Sequence, residues 1–283
     1  MAALDVLICT YERPDHVLHA AADARAQLGP EDRLLVLDQS RRVQATRDAL
    51  QSWGDPRVRH EAAPPRGLPA ARNLALARSD RPLVVFLDDD VRLLPGCLDA
   101  HRRALQEDGI GATVGAIDER GMAWNARRTR NEVDRTGRVR VRLEGEVALD
   151  VGSTKGCNMG WRREALEQIG GFDPGFAGTS FLEETDASEA ARRLGWRVRY
   201  VPDAALVHLS APAGGVRVED TARTAWWRFH NTGRFLAKHR PASLPVAGAT
   251  FSAIALRRAI AWGDPGAPAR LMAAFARGVA SVG

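Results

Sequence analysis

One stretch limits the possible folds more than any other: Leu83-Val84-Val85-Phe86-Leu87, an uninterrupted apolar run that passes straight into Asp88-Asp89-Asp90. Arg81-Pro82 precedes it and Pro95-Gly96 follows, so it reads as a short strand buried on both faces, the pattern of a parallel sheet covered by helices. Three carboxylates at one strand tip repel one another unless a cation neutralises them, and hard oxygen donors of this kind suit Mg²⁺ or Mn²⁺. The carboxyl ends of strands are also where open α/β sheets bind ligands. A solvated acidic turn or a helix N-cap accounts for the same residues without any ligand.

The stretches on the N-terminal side settle what kind of sheet surrounds that strand. Residues 4–9 read as a first strand, followed by the loop Thr10-Tyr11-Glu12-Arg13 and a helix opened by Pro14, with Val17, Ala21 and Leu28 at helical spacing. Residues 33–37 form a second strand that ends at Asp38-Gln39-Ser40, with a helix over 43–52 behind it. A short third strand covers 58–62, and Gly67-Leu68-Pro69 opens a helix through Ala77. Alternating strands and helices of this length predict an α/β chain with a parallel sheet and helices on both faces. Thr10 to Arg13, Asp38 and Asp88 to Asp90 then converge on one rim, a plausible seat for a nucleoside diphosphate. Neither G-x-G-x-x-G nor G-x-x-x-x-G-K-[ST] occurs, so phosphate charge has to be met by a metal and by arginines.

Beyond Pro95 a helix runs to about residue 107 and the pattern changes. Residues 114–117 read as a strand, 118–137 as a polar excursion containing Trp124, and 138–143 alternate strictly, as a half-exposed strand does. A mixed, partly antiparallel second half follows. Residues 151–161 are rich in small side chains that let backbone approach a ligand closely. After a helix over 163–169 and the turn Gly170-Gly171-Phe172-Asp173-Pro174 comes Phe181-Leu182-Glu183-Glu184-Thr185-Asp186, where a helix begins that Gly195 ends. Its acidic first turn suits the helix dipole and equally suits a general base. Strands over 198–201 and 205–208 bring His208 to a strand end, a place for either a structural histidine or a ligand.

From about residue 216 the tail reads as a separate helical segment, in which Trp226, Trp227, Phe229 and Phe235 mingle with Arg223, Arg228, Arg234, Lys238 and Arg240. Packing of these aromatics on the main body is the first expectation, and a basic helix resting on an anionic membrane the second. Residues 263–268 form a loop before a short final helix. The net charge of +5 and isoelectric point near 9.7 favour anionic partners, but the arginines are dispersed and no nucleic-acid motif occurs, so no nucleic-acid partner is expected. Cys9, Cys97 and Cys157 are odd in number, far apart and without metal-ligand spacing, which argues for a reducing compartment and against disulfides or a zinc site. The N-terminus lacks a basic region followed by an apolar one, and the longest uncharged apolar stretch, 244–256, is too short to span a bilayer. A cytoplasmic location is expected, with peripheral membrane contact through the tail as the variant.

Taken in order, Cys9-Thr10-Tyr11-Glu12-Arg13-Pro14, Leu37-Asp38-Gln39-Ser40, Gly67 with Ala71-Arg72-Asn73, Asp88-Asp89-Asp90, Gly156-Cys157-Asn158-Met159, Gly170-Gly171-Phe172-Asp173, Glu183-Glu184-x-Asp186 and Val207-His208-Leu209 resemble the motif series of the inverting family 2 glycosyltransferases of GT-A fold. The resemblance covers residues 4–210. It implies a GT-A catalytic domain over 1–212, with a Rossmann-like nucleotide-sugar half at 1–110 and an acceptor half at 111–212, and a helical extension over 213–283. It further implies donor contacts from Thr10, Tyr11, Glu12, Arg13, Asp38, Arg72, Asp88, Asp89, Gly156 and Asn158. Among these, Thr10 and Asp38 would hold the base, and Asp88 the ribose. A Mn²⁺ or Mg²⁺ ion would be held by Asp90 with Asp88 and His208.

The implied reaction is metal-dependent, inverting transfer from a nucleotide diphosphate sugar, a UDP-sugar foremost, to a hydroxyl on a glycan, a lipid-linked molecule or a small natural product. Acceptor choice would rest with 118–149 and the tail. Inversion needs a base, and Glu184 stands where the family has aspartate. Its extra methylene displaces the carboxylate by about 1.5 Å, which leaves Glu183 and Asp186 as alternatives. Glu12 likewise replaces an asparagine of the family. Two rivals follow from the same residues: a non-catalytic binding module in which Glu183-Glu184 only caps a helix, and a sugar-phosphate nucleotidylyltransferase. The second needs a glycine-rich basic loop that residues 9–16 do not offer.

Overall fold

The computed structural model describes residues 2–119, 129–210 and 221–282; Trp124 and the boundary placed at residue 212 lie outside the described residues. The first half alternates β1 (Leu4–Thr10), α1 (Pro14–Arg25), β2 (Arg33–Asp38), α2 (Gln44–Ser52), β3 (Val58–Ala62), α3 (Leu68–Ala77), β4 (Leu83–Leu87), β5 (Val91–Leu93) and α4 (Cys97–Leu105). Then follow β6 (Ile110–Glu119), β7 (Arg130–Val133), β8 (Val139–Arg142), β9 (Leu149–Asp150), β10 (Asn158–Arg162), α5 (Arg163–Gln168), α6 (Glu183–Arg193) and β11 (Arg197–His208). Helices α7 (Thr221–His239), α8 (Leu244–Trp262) and α9 (Ala267–Ala280) complete the described chain.

Nine strands form one mixed sheet in the order β3-β2-β1-β4-β10-β6-β11-β5, with β9 on β11, while β7 and β8 pair separately. All five residues of β4 are buried, and β1, β2, β3 and β4 run parallel, as an apolar run without alternation requires. The second half departs from the sequence expectation in four places. The strand expected at 114–117 spans Ile110–Glu119, and the polar excursion contains β7. The two strands expected at 198–201 and 205–208 are one strand broken by an irregularity between Val201 and Leu206. The stretch 151–161, read for small residues that let backbone approach a ligand, ends in β10, which lies antiparallel between β4 and β6. Met159 and Trp161 are fully buried there, so burial overrides the small-residue signal.

Asn158, expected to touch the donor, is a correction. Its side chain is wholly buried, its amide nitrogen donates to the carbonyls of Ala116 (3.1 Å) and Ala204 (2.7 Å), and its Oδ1 accepts from His101 Nε2 (2.8 Å). With Nε2 donating, His101 Nδ1 accepts from the Thr113 hydroxyl at 2.7 Å. Every polar atom of Asn158 is thus spent on tying β10 to its neighbours. Burial pushes the His101 pKa from its ordinary 6.5 down to about 4. The folded chain therefore holds His101 neutral where the unfolded chain protonates it. The stability this contributes is complete above pH 6.5 and is lost as the pH falls towards 4, with a slope of about 1.4 kcal/mol per pH unit. Urea melts of His101→Gln between pH 7 and 4 are expected to lack that one-proton slope, whatever the variant loses in overall stability.

A second apolar cluster joins α7, α8 and α9 to the segment before α6, through Phe229, Phe235, Phe251 and Phe275 packed with Phe176 and Leu182. Phe229 and Phe235 of the aromatic helix therefore face inward. Exposed apolar side chains lie on α8 instead, where Val246, Leu256 and Ile260 face solvent. By length and composition alone, Pro241–Trp262 is long and apolar enough to cross a membrane, with only 17% of its most apolar window buried. Arg257-Arg258 interrupts the apolar run counted from the sequence, but it does not end the helix.

Candidate active site

Strand register assembles the site. Thr10 pairs with Asp38, Ile8 with Leu87, Leu87 with Asn158, and His208 with Val91. The loops after β1 and β4, the residues before β10 and the end of β11 therefore open on one rim, the carboxyl edge at which α/β sheets bind ligands. Two adjoining cavities lie there and share Arg13, Leu68 and Asp88. The larger, about 520 Å³, is lined by Asp90, Lys155, Gly156, Cys157, Glu184 and His208 among others. The smaller, about 230 Å³, is lined by Thr10, Tyr11, Gln39, Pro65, Gly67 and Asp89.

The three acids of the strand tip have three different environments. Asp88 is one-third exposed and meets Arg72 at 3.3 Å. Asp89 is buried, accepts from the Thr10 hydroxyl (2.7 Å) and from Arg13 (2.9 Å), and is pushed by burial up to about 6 against the pull of both partners. Asp90 is buried between Arg13 (3.2 Å) and His208 Nε2 (3.3 Å). Asp88 Oδ, Cys157 Sγ and a His208 ring nitrogen all lie within 4.8 Å of one another. This donor set fits a divalent cation.

Arg72 organises the far wall. Its guanidinium is buried, bridges Asp88, the Gly156 carbonyl (3.1 Å) and the Glu183 carboxylate, and lies over the Phe172 ring. Glycine at 156 leaves room for that guanidinium, because a Cβ there would stand 2.7 Å from it and displace it. Asn73 clamps the turn beneath, donating to the Phe172 carbonyl and accepting from its amide. Among the described residues, the non-glycine positions with left-handed backbone are Glu12, Ser180, Leu182 and Ser210. All four stand in or beside the loops around the cavities, as expected of strain held at a functional site.

The first turn of α6 carries the candidate bases, and the structure separates them. The Glu183 side chain is 2% exposed and ion-paired with Arg72. Glu184 is 13% exposed, lines the larger cavity and lies 3.6 Å from Lys155 Nζ. Asp186 faces elsewhere: its carboxylate accepts from Lys238 Nζ (2.8 Å) and His239 Nε2 (2.6 Å). That is a correction to its candidacy as base, because both oxygens are committed to α7.

Two donor contacts also need correction. Asp38 is 1% exposed; burial raises its pKa, but contacts with His60 and Ser40 outweigh that and hold it below the usual carboxylate range. Gln39, which the sequence reading passed over, takes its place in the cavity wall. Glu12 is exposed and accepts from the Arg41 amide, joining the two loops outside the cavities. Cys157 was also missed, because its neighbours Asp88 and His208 are distant in sequence. Thr10, Tyr11, Arg13, Arg72, Asp88, Asp89, Asp90, Gly156, Glu183, Glu184 and His208 do line the paired cavities.

The sequence profile described as "Glycosyl transferase family 2" matches residues 5–170. Among curated proteins, none matches the chain in sequence. Solved structures share the fold at low identity. GalNAc-T7 with UDP, GalNAc and Mn²⁺ has TM-score 0.67 and 15% identity, covering 86% of this chain and 51% of that one. The mannosyltransferase PcManGT from Pyrobaculum calidifontis in complex with GDP-Man and Mn²⁺ has TM-score 0.60 and 18% identity, covering 99% and 75%. S. aureus TarS 1–349 with UDP-GlcNAc has TM-score 0.60 and 13% identity, covering 88% and 72%. The chain thus spans about half the length of GalNAc-T7.

Proposed function

The chain belongs to glycosyl transferase family 2, and from that premise we propose that it is a metal-dependent, inverting glycosyltransferase that moves a sugar from a nucleotide diphosphate sugar to a hydroxyl acceptor. One observation carries the reading. Of the three acids in the first turn of α6, only Glu184 is both partly exposed and turned into the cavity that Asp88, Asp90 and His208 also line. A carboxylate so placed takes the acceptor proton as the acceptor oxygen attacks C1 of the sugar. The bond from C1 to the diphosphate oxygen breaks, and its electrons leave with the nucleoside diphosphate.

Asp88, Asp90 and His208, with Cys157 beside them, would hold the divalent ion, which when bound offsets the charge gathering on the leaving diphosphate. The Mn²⁺ in two of the similar structures supports that ion or its analogue Mg²⁺. Arg72 holds Asp88 and the Gly156 carbonyl in place around the site. The UDP and UDP-GlcNAc bound in two of the similar structures support a UDP-sugar as donor. A thermal-shift panel of UDP-, GDP- and other nucleotide sugars with Mn²⁺ or Mg²⁺ tests this. The UDP-sugar at 100 times its dissociation constant is expected to stabilise the chain by about 2.7 kcal/mol. A panel in which no nucleotide sugar shifts the melt with either ion would defeat the proposal.

A lipid-linked acceptor is supported by the exposed apolar side of α8 together with the charge of the tail, where residues 221–282 hold nine arginines and lysines against one acid, Asp264. Sedimentation with phosphatidylserine vesicles is expected to pellet the wild-type chain, and Leu256→Asp with Ile260→Asp to leave it in solution. A wild-type chain that stays in the supernatant would remove the membrane from the assignment.

A further inference from the structure

The Sγ of Cys157 lies with a carboxylate oxygen of Asp88 and a ring nitrogen of His208 inside a 4.8 Å group. We propose that Cys157 is a thiolate ligand of the divalent ion, so that the site is a mixed sulfur, nitrogen and oxygen centre. The proposal rests on the reading that this cavity holds a metal. Two donors bonded to one ion at about 2.0–2.3 Å stand no more than about 4.6 Å apart, so the observed spread lies close to that of an assembled site.

The backbone on either side of Cys157 is fixed. Gly156 cannot carry a Cβ without meeting Arg72, and Asn158 is locked by three hydrogen bonds inside the sheet. Cys157 itself is 2% exposed and lines the larger cavity. Its sulfur is therefore held at the wall by the same contacts that hold the wall. The other two cysteines serve as internal comparisons, because burial pushes both thiols up to about 12 and neither belongs to the Asp88–His208 group.

Ligation has a defined balance: the sulfur–metal bond forms as the thiol proton passes to solvent, one proton per ion. A thiolate also changes ion preference. It favours the softer ions Zn²⁺ and Co²⁺ over Mn²⁺ and Mg²⁺.

The test is a Co²⁺ titration of the full chain without nucleotide, followed by absorbance. The wild type is expected to show the visible bands of bound cobalt and a near-ultraviolet sulfur-to-cobalt charge-transfer band. Cys9→Ser and Cys97→Ser should keep both. Cys157→Ser and Cys157→Ala should lose the charge-transfer band, keep the visible bands of bound cobalt at high Co²⁺, and bind Co²⁺ more weakly than the wild type. Bound cobalt without that band in the wild type, or a band that survives in both Cys157 variants, would overturn the thiolate ligand and leave the metal site standing. Failure of cobalt, manganese and magnesium to bind at all would overturn both.

Discussion

Glu184→Gln is expected to lower kcat for sugar transfer about 10³-fold, while the KM for the nucleotide sugar moves less than about threefold. The substitution keeps the shape of the side chain and removes only its ability to take a proton. A thousandfold loss corresponds to about 4 kcal/mol of transition-state stabilisation, within reach of a general base placed against its substrate. Donor affinity should be spared because Arg13, Asp88 and Arg72, which line the same cavity, hold ion pairs among themselves and with Asp89, Asp90 and Glu183 that the substitution leaves in place. Glu183→Gln is the comparison. Its loss removes one of the two carboxylates that the buried Arg72 bridges and leaves Asp88 as the other, so its effect should appear first in donor KM and in the melt. Steady-state kinetics at saturating acceptor separate the two patterns. An unchanged kcat in Glu184→Gln would move proton transfer to another group.

Much of the fold and part of the site can be read from the chain without coordinates. The run 83–87 and its acidic end are legible because a strand buried on both faces is apolar without alternation, and the change to charge marks where it leaves the core. Residues that merely had to reach the rim, such as Thr10, Asp88 and His208, follow from strand ends alone. Side-chain direction does not. Asn158 turns inward because His101, Ala116 and Ala204 meet it from three separate elements. Asp38 turns away towards His60 on β3. Cys157 gains its meaning from residues about 50 and 70 positions away. Helix geometry did carry one unread signal: Glu184 and Asp186 stand two residues apart, about 200° around the helix, so a single pocket cannot hold both.

That angular separation leads to the opposite expectation for Asp186. Asp186→Ala should cost about 3–5 kcal/mol of stability, because breaking a buried ion pair strands its partners. The carboxylate is 4% exposed and joins three elements. It accepts from His239 and Lys238 of α7, Lys238 also reaches Asp173 at 2.9 Å, and Arg234 pairs with the same Asp173. The turn after α5, the start of α6 and the C-terminal end of α7 are thereby held as one unit. Lys238 is one-third exposed and keeps Asp173 when Asp186 is gone, whereas the His239 side chain, 2% exposed, loses its acceptor with no access to water. Asp186→Asn returns an acceptor to His239 while removing the charge, so it should recover part of the loss. Denaturant melts give the stability, and kcat measured on the folded fraction should stay within a few-fold of wild type. Were Asp186→Asn to abolish turnover with an unaltered melt, the proton would pass through Asp186, and the anchoring of α7 would be incidental to the chemistry.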